Sequence, residues 1–321
     1  MNKLMIMNTA IAILTGLEAG AVTKKAVSFP NGSIELKGEL YLPDGTKDDS
    51  QLKAIVVSHP GGGVKEQCAG TYAHRLAEAG FVALAFDASY QGESGGEPHD
   101  FEDPYARVSD VYAAVDFLTT LPFVDKDGIG AMGLCAGGGY TIKASCIDRR
   151  IKAVAGVSIF DIGGSMRAAV GEQIIATLEG AATQRTREAN GEPVFYMTRI
   201  PDSKADLKDT DPAFLHEAVD YYRTPRAQHP RATNKLALRS MPLILSYSSF
   251  DQVADLLTQP LLIISGSESD THYFSQQAYD LARGKKEMFR PEGATHVALY
   301  DIEPYLTQAI DKLVQFFKEN L

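Results

Sequence analysis

The residues with the clearest capacity for chemistry are Cys135 and the glycines around it. Gly133-Leu134-Cys135-Ala136-Gly137-Gly138-Gly139 has the spacing G-x-S-x-G with cysteine in the serine seat. That spacing suits a sharp strand-to-helix turn which holds one side chain at the top of a sheet, the flanking glycines allowing strand and helix to approach closely. The context agrees: Asp127 to Gly133 reads as a turn feeding a short apolar strand, and Tyr140 to Cys146 continues at helical spacing. Cys135 is therefore a candidate nucleophile. The competing reading of the same spacing is a packed turn in which Cys135 is an inert core residue.

A thiol nucleophile needs a base, a group that orients the base, and donors for the developing oxyanion. His296, in Gly293-Ala294-Thr295-His296-Val297, lies in a glycine-bearing loop between the last strand and the last helix. Asp270 lies in Ser265-Gly266-Ser267-Glu268-Ser269-Asp270-Thr271, just past an apolar strand. Asp270 is the expected acid and Glu268 the reserve, although an aspartate in that place also suits a helix N-cap. His59, His74, His99, His216, His229 and His272 read instead as turn, helix-surface or cap residues. The expected oxyanion donors are the backbone N–H of Ala136 and that of Gly62 or Gly63, in the turn His59-Pro60-Gly61-Gly62-Gly63-Val64. Neither glycine turn has the ending of a phosphate-binding loop or dinucleotide spacing, so no cofactor is expected. No His/Asp/Glu cluster has metal-ligand spacing.

The elements that must position these residues follow from the hydrophobic pattern. Ala26 to Leu42 alternates around Pro30-Asn31-Gly32 as an antiparallel hairpin. After it, continuous apolar runs (Ala54 to Ser58, Phe81 to Phe86, Gly128 to Gly133, Ile151 to Val157, Leu261 to Ser265) alternate with helical segments near 66–80, 104–120, 136–148, 273–284 and 304–321. A further strand is expected at Lys286 to Phe289. Such runs are strands buried on both faces, hence an α/β fold with a mostly parallel central sheet flanked by helices. Residues 160–257 interrupt the pattern with helical segments and repeated prolines. They are read as a helical cap inserted into a core formed by 23–159 and 258–321. Phe195, Tyr196, Phe214, Tyr221 and Tyr222 give this cap an apolar, aromatic content suited to a medium-sized acyl group or to the cap's own core.

Composition bounds the function. The chain has 321 residues, 45% hydrophobic and 22% charged, enough for a substantial core. Its net charge of −10 leaves no basic stripe for nucleic acid. Cys68, Cys135 and Cys146 form no disulfide framework, and Cys68 and Cys146 read as helix-packing residues. Residues 1–22 form an N-terminal extension. Its apolar runs are too short to span a bilayer. They suit an amphipathic helix packed on the core or across a homodimer, with a cytoplasmic protein, or a signal peptide over residues 1–21 with an exported one.

His59 to Glu66, Phe86 to Gly96 and Gly133 to Tyr140 together resemble the α/β-hydrolase superfamily, in particular a group related to dienelactone hydrolases. The resemblance covers nearly the whole chain from Ala26. It implies an α/β-hydrolase fold, a Cys135–Asp270–His296 triad and a small-molecule acyl substrate. The segment Asp87 to Gly96 is expected to border the site, with Asp87 bracing the loop through backbone N–H groups. The inserted segment departs from the small dienelactone hydrolases and leaves the substrate open.

Cysteine in the nucleophile's seat narrows the reaction. Thiolate is a good leaving group, so an intermediate carrying a poor alkoxide or amine leaving group collapses back to substrate. The expected substrates are activated esters, lactones or thioesters. The expected activity is cofactor-independent hydrolysis through a thioester acyl-enzyme. The alternatives are an acyltransferase on the same triad and a catalytically silent binding protein.

Overall fold

The computed structural model describes residues 21–321. The expectations for the N-terminal extension fall on residues outside that range, apart from its last two. β1 (Val22–Asn31) and β2 (Ile34–Pro43) form the hairpin, with Asn31 opposite Ile34 and Val22 opposite Pro43. Gly32 takes the left-handed conformation that closes the turn, at φ +59°. There follow β3 (Leu52–Ser58), α1 (Cys68–Glu78), β4 (Val82–Phe86), α2 (Pro104–Thr119), β5 (Val124–Leu134), α3 (Ala136–Ile147) and β6 (Ile151–Val157). Between β6 and the next sheet strand lie α4 (Ile162–Val170), α5 (Ile174–Ala189), β7 (Tyr196–Thr198), α6 (Ala213–Arg223), β8 (Lys235–Ala237), α7 (Met241–Ser246) and α8 (Val253–Leu256). β9 (Leu261–Ile264), α9 (His272–Leu281), β10 (Lys286–Phe289), α10 (Ala298–Asp301) and α11 (Tyr305–Asn320) complete the chain.

The central sheet has eight strands in the order β1-β2-β4-β3-β5-β6-β9-β10. The β1–β2 and β2–β4 pairs are antiparallel, and all others are parallel. The chemistry of the strands explains their places. β4, Val-Ala-Leu-Ala-Phe, is buried at every residue, as a strand covered by helices on both faces must be. The hairpin strand β2 instead alternates buried and partly exposed positions over much of its length, as an edge region does.

Helix boundaries are equally local. α2 begins at Pro104 behind the N-cap Asp103, whose carboxylate accepts from the N–H groups of Tyr105 and Ala106. α11 turns Leu306, Ala309, Ile310, Leu313, Phe316 and Phe317 into the core at helical spacing. Since sites in such sheets form beyond the carboxyl ends of the parallel strands, the loops after β3, β5, β9 and β10 are the ones that matter. No helix among the described residues is long and apolar enough to cross a membrane.

Candidate active site

Cys135 stands where β5 gives way to α3, and its backbone is strained: φ is +54° and ψ −125°. A non-glycine residue holds such a conformation only when its surroundings over-determine it. Here the Cys135 N–H donates to the Val157 carbonyl at 3.0 Å, and its own carbonyl accepts from Gly138 and Phe160, each at 3.0 Å. The glycines of the motif are required by close approach. A Cβ on Gly137 would lie 2.5 Å from the carbonyl oxygens of Ser58 and His59, and one on Gly133 would collide with the backbone of Gly137.

Cys135 is 7% exposed and borders a cavity of about 490 Å³. Pro60, Gly61 and Ala136 line the cavity beside Cys135, while Met166, Met197, Phe214, Leu215 and Leu236 give it an apolar wall. Of the aromatic residues noted between β6 and β9, Phe214 and Tyr222 border it, Phe195 is exposed, and Tyr221 is buried away from it. Burial pushes the Cys135 thiol above its ordinary pKa, partly offset by the Tyr300 hydroxyl, the N–H groups of Ala136 and Gly61, and the Arg199 charge.

The expected donors are placed unequally. Ala136 N–H lies by the sulfur. Gly63 does not serve, because its N–H closes the turn onto the Pro60 carbonyl at 3.1 Å. Gly62 adopts φ +74° and faces Arg199 and Asn234. The N–H of this turn that acts on the sulfur is that of Gly61.

His296 is fully buried between β10 and α10. Its Nδ1 is 2.5 Å from Thr271 Oγ1 and its Nε2 is 3.1 Å from the Tyr300 hydroxyl. Phe214 packs edge-on against the imidazole, with ring centres 4.6 Å apart. This burial pushes the imidazole down to about 3, so it is neutral at neutral pH. Cys135 and His296 therefore rest as thiol and imidazole.

Asp270 is exposed, and its Oδ2 accepts from the backbone N–H of Phe214 at 2.9 Å, at the start of α6. The residue beside it, Thr271, is the one that meets His296. Glu268 is also exposed. The fold thus brings Cys135, Ala136 and His296 to one locality and directs Asp270 to the segment between β6 and β9.

Further residues had no place in the sequence reasoning. Tyr300 borders the cavity one turn beyond His296; its signal is the aromatic residue four positions after the histidine. Arg199, from the segment between β6 and β9, lies against Gly61 and donates to Glu102 at 3.0 Å. Glu102 is fully buried and also receives the Tyr140 hydroxyl at 2.6 Å. Burial alone would raise its pKa, but Arg199 and Arg107 hold it below the ordinary value. A lone arginine in a polar loop gave no signal of this.

Asp87 braces its loop as expected, accepting from the N–H groups of Lys65 at 2.8 Å and Glu93 at 2.9 Å. The carboxylates of Glu66, Asp87 and Glu93 converge, but on the Lys65 ammonium, at 2.8, 2.8 and 2.6 Å. That ammonium fills the place a metal ion would need.

Comparison with known proteins accords with this architecture. The profile of the dienelactone hydrolase family matches residues 37–160. YcjY of Escherichia coli K12 is 43% identical, over 92% of this chain and 98% of its own. PA2218 of Pseudomonas aeruginosa is 38% identical over 94% of this chain and 81% of its own. Its crystal structure superposes with a TM-score of 0.87 at 35% identity, covering 98% of this chain and all of that one. More distant relatives are the acyltransferase drtE of Aspergillus calidoustus, 24% identical over 88% of this chain and 91% of its own, and the thiohydrolase aneE of Aspergillus aculeatus, 32% identical over 39% and 37%. The chain belongs to the α/β-hydrolase superfamily, in one family with YcjY and PA2218, and carries a dienelactone hydrolase family domain.

Proposed function

We propose that the protein is a cofactor-independent hydrolase of activated carboxylic esters, lactones or thioesters, acting through a thioester acyl-enzyme on Cys135. The observation that carries this is the strained Cys135 held beside two backbone N–H groups at the edge of an apolar cavity of about 490 Å³. The thiol loses its proton to His296 and attacks the acyl carbon. The N–H groups of Gly61 and Ala136 take the oxyanion, and the leaving group departs with a proton returned from His296. Water then repeats the sequence on the thioester. In this reading Thr271 orients the imidazole at Nδ1. Asp270, the acid expected from the sequence, supports the same loop from one residue away, through its bond to the Phe214 N–H.

Acyl transfer is the second reading. A thioester in an apolar cavity is open to amines, thiols and alcohols as well as water, and a relative covering most of the chain is named an acyltransferase. One experiment tests both. The protein is incubated with a panel of aryl esters and acyl thioesters, and mass is measured on the Cys135 peptide with and without an added amine, thiol or alcohol. An acyl mass on Cys135, absent in Cys135→Ala, with free acid as product is expected. Diversion of product to the added acceptor would favour transfer. Silence of the whole panel, with Cys135 alkylated by iodoacetamide no faster than an ordinary thiol, would leave a binding protein.

A further inference from the structure

His296 does not border the cavity, and its two ring nitrogens meet Thr271 Oγ1 and the Tyr300 hydroxyl. Tyr300 does border it, as Cys135 does, and the Tyr300 hydroxyl offsets part of the burial that raises the Cys135 thiol. Tyr300 thus joins the base to the cavity that the nucleophile borders. It is fixed there: Tyr300 is 1% exposed, its ring packs edge-on against Tyr221 at 5.1 Å, and α10 carries it one turn past the histidine.

Resting on the reading of Cys135 as nucleophile and His296 as base, we propose that Tyr300 is a catalytic residue whose hydroxyl relays the proton between Cys135 Sγ and His296 Nε2. When the thiol is activated, the S–H bond breaks and its proton bonds to the Tyr300 oxygen, while the proton already there bonds to Nε2. The products are thiolate, neutral tyrosine and imidazolium, with no net change in atoms or charge. Nδ1–H is held by Thr271 Oγ1, which itself lies 3.1 Å from Ser269 Oγ. In collapse of the tetrahedral intermediate the bond to the leaving group breaks, the Tyr300 hydroxyl proton passes to the leaving-group atom, and the Nε2 proton returns to the Tyr300 oxygen.

The surroundings favour a concerted exchange. Burial holds the Tyr300 hydroxyl firmly protonated, so a free tyrosinate is not an accessible intermediate. The neighbouring Tyr222 and Cys68 are likewise kept protonated by burial. Arg199 supplies positive charge on the cavity side, and Phe160 and Phe214 cover other faces of His296. Glu217 reaches only the Val297 N–H, at 3.4 Å, and Asp301 is paired with Arg226.

The test measures Cys135 alkylation by iodoacetamide against pH, which needs no known substrate, and acylation by an aryl ester. In Tyr300→Phe, alkylation at neutral pH falls to the level of His296→Ala, and the acylation rate falls by roughly 10²–10³ with KM little changed. The double variant loses no more than either single one, because both act in one proton path. Acylation of Tyr300→Phe within about threefold of wild type, or losses that multiply in the double variant, overturns the relay. A second measurement on the unaltered protein does not depend on the variant folding. The acylation rate in mixtures of light and heavy water should follow a curved, two-proton dependence, and a linear one overturns the relay. Failure of the underlying reading looks different: wild-type Cys135 is then neither acylated nor alkylated faster than an ordinary thiol.

Discussion

At the scale of single residues, the site is governed by which groups are left neutral. Burial raises the Cys135 thiol and lowers the His296 imidazole, so the pair rests uncharged and the ionic form must be created during the proposed reaction. The group that orients the imidazole then matters most, and here two neighbours divide the work. Thr271 holds Nδ1, whereas Asp270 holds the Phe214 N–H. Thr271→Val should lower kcat by on the order of 10², since the ring loses its fixed tautomer. Asp270→Asn should cost less than about tenfold, because the amide oxygen still accepts from Phe214. Steady-state kinetics of both variants decides, and the reverse order would return Asp270 to the role expected from the sequence. That one-residue difference was not legible in the chain. The loop sequence offers both side chains, and the choice is made by an N–H 56 positions away. The glycine turn hid a similar difference: the sequence shows three equal glycines, and only the folded turn, with Gly63 N–H on the Pro60 carbonyl, shows that Gly63 is already engaged.

At the scale of elements, the segment between β6 and β9 is tied to the core by a buried charge network. Just past β7, Arg199 reaches Glu102, which the core holds through Tyr140 and, at 3.9 Å, Arg107. Arg199→Met leaves one oxygen of a fully buried carboxylate without its partner. It should cost about 3 kcal/mol of unfolding free energy. Adding Glu102→Gln should restore part of this, because the neutral amide no longer needs the cation. Urea unfolding of both variants checks it, and an Arg199→Met protein within about 1 kcal/mol of wild type would show that Arg107 suffices. The strands and helices of the core were legible because each apolar run is long enough to declare its period. β5 nevertheless begins at Val124, before the apolar stretch, since pairing with β3 extends to Leu52. The three-residue strands β7 and β8 carry no such period. Their pairing is set by tertiary contacts.

At the scale of the whole molecule, the same burial that builds the site couples its stability to pH. His59 and His296 are both fully buried and both held below the ordinary imidazole value, chiefly by desolvation. His59 is fixed as the neutral tautomer, with Nδ1 2.6 Å from the Pro60 carbonyl and Nε2 accepting from the Ala88 N–H at 3.1 Å. Above pH 6.5 neither form of the chain protonates these rings, and their full contribution to stability is present. As pH falls, the unfolded chain takes up a proton at each histidine that the folded chain refuses, so stability is lost from 6.5 down toward the folded value, about 3 for His296. The slope approaches 1.4 kcal/mol per pH unit for each ring, or roughly 2 kcal/mol each between pH 7 and pH 5. Asp87 and Asp110 are raised by burial and work the other way, offsetting part of this loss as pH falls through their raised folded values toward 3.8. Unfolding free energies measured in urea at pH 7, 6 and 5 should therefore fall along a steepening curve. A flat or rising curve would mean that one of the rings is charged in the folded protein, and for His296 that would require a resting thiolate–imidazolium pair in place of the neutral site.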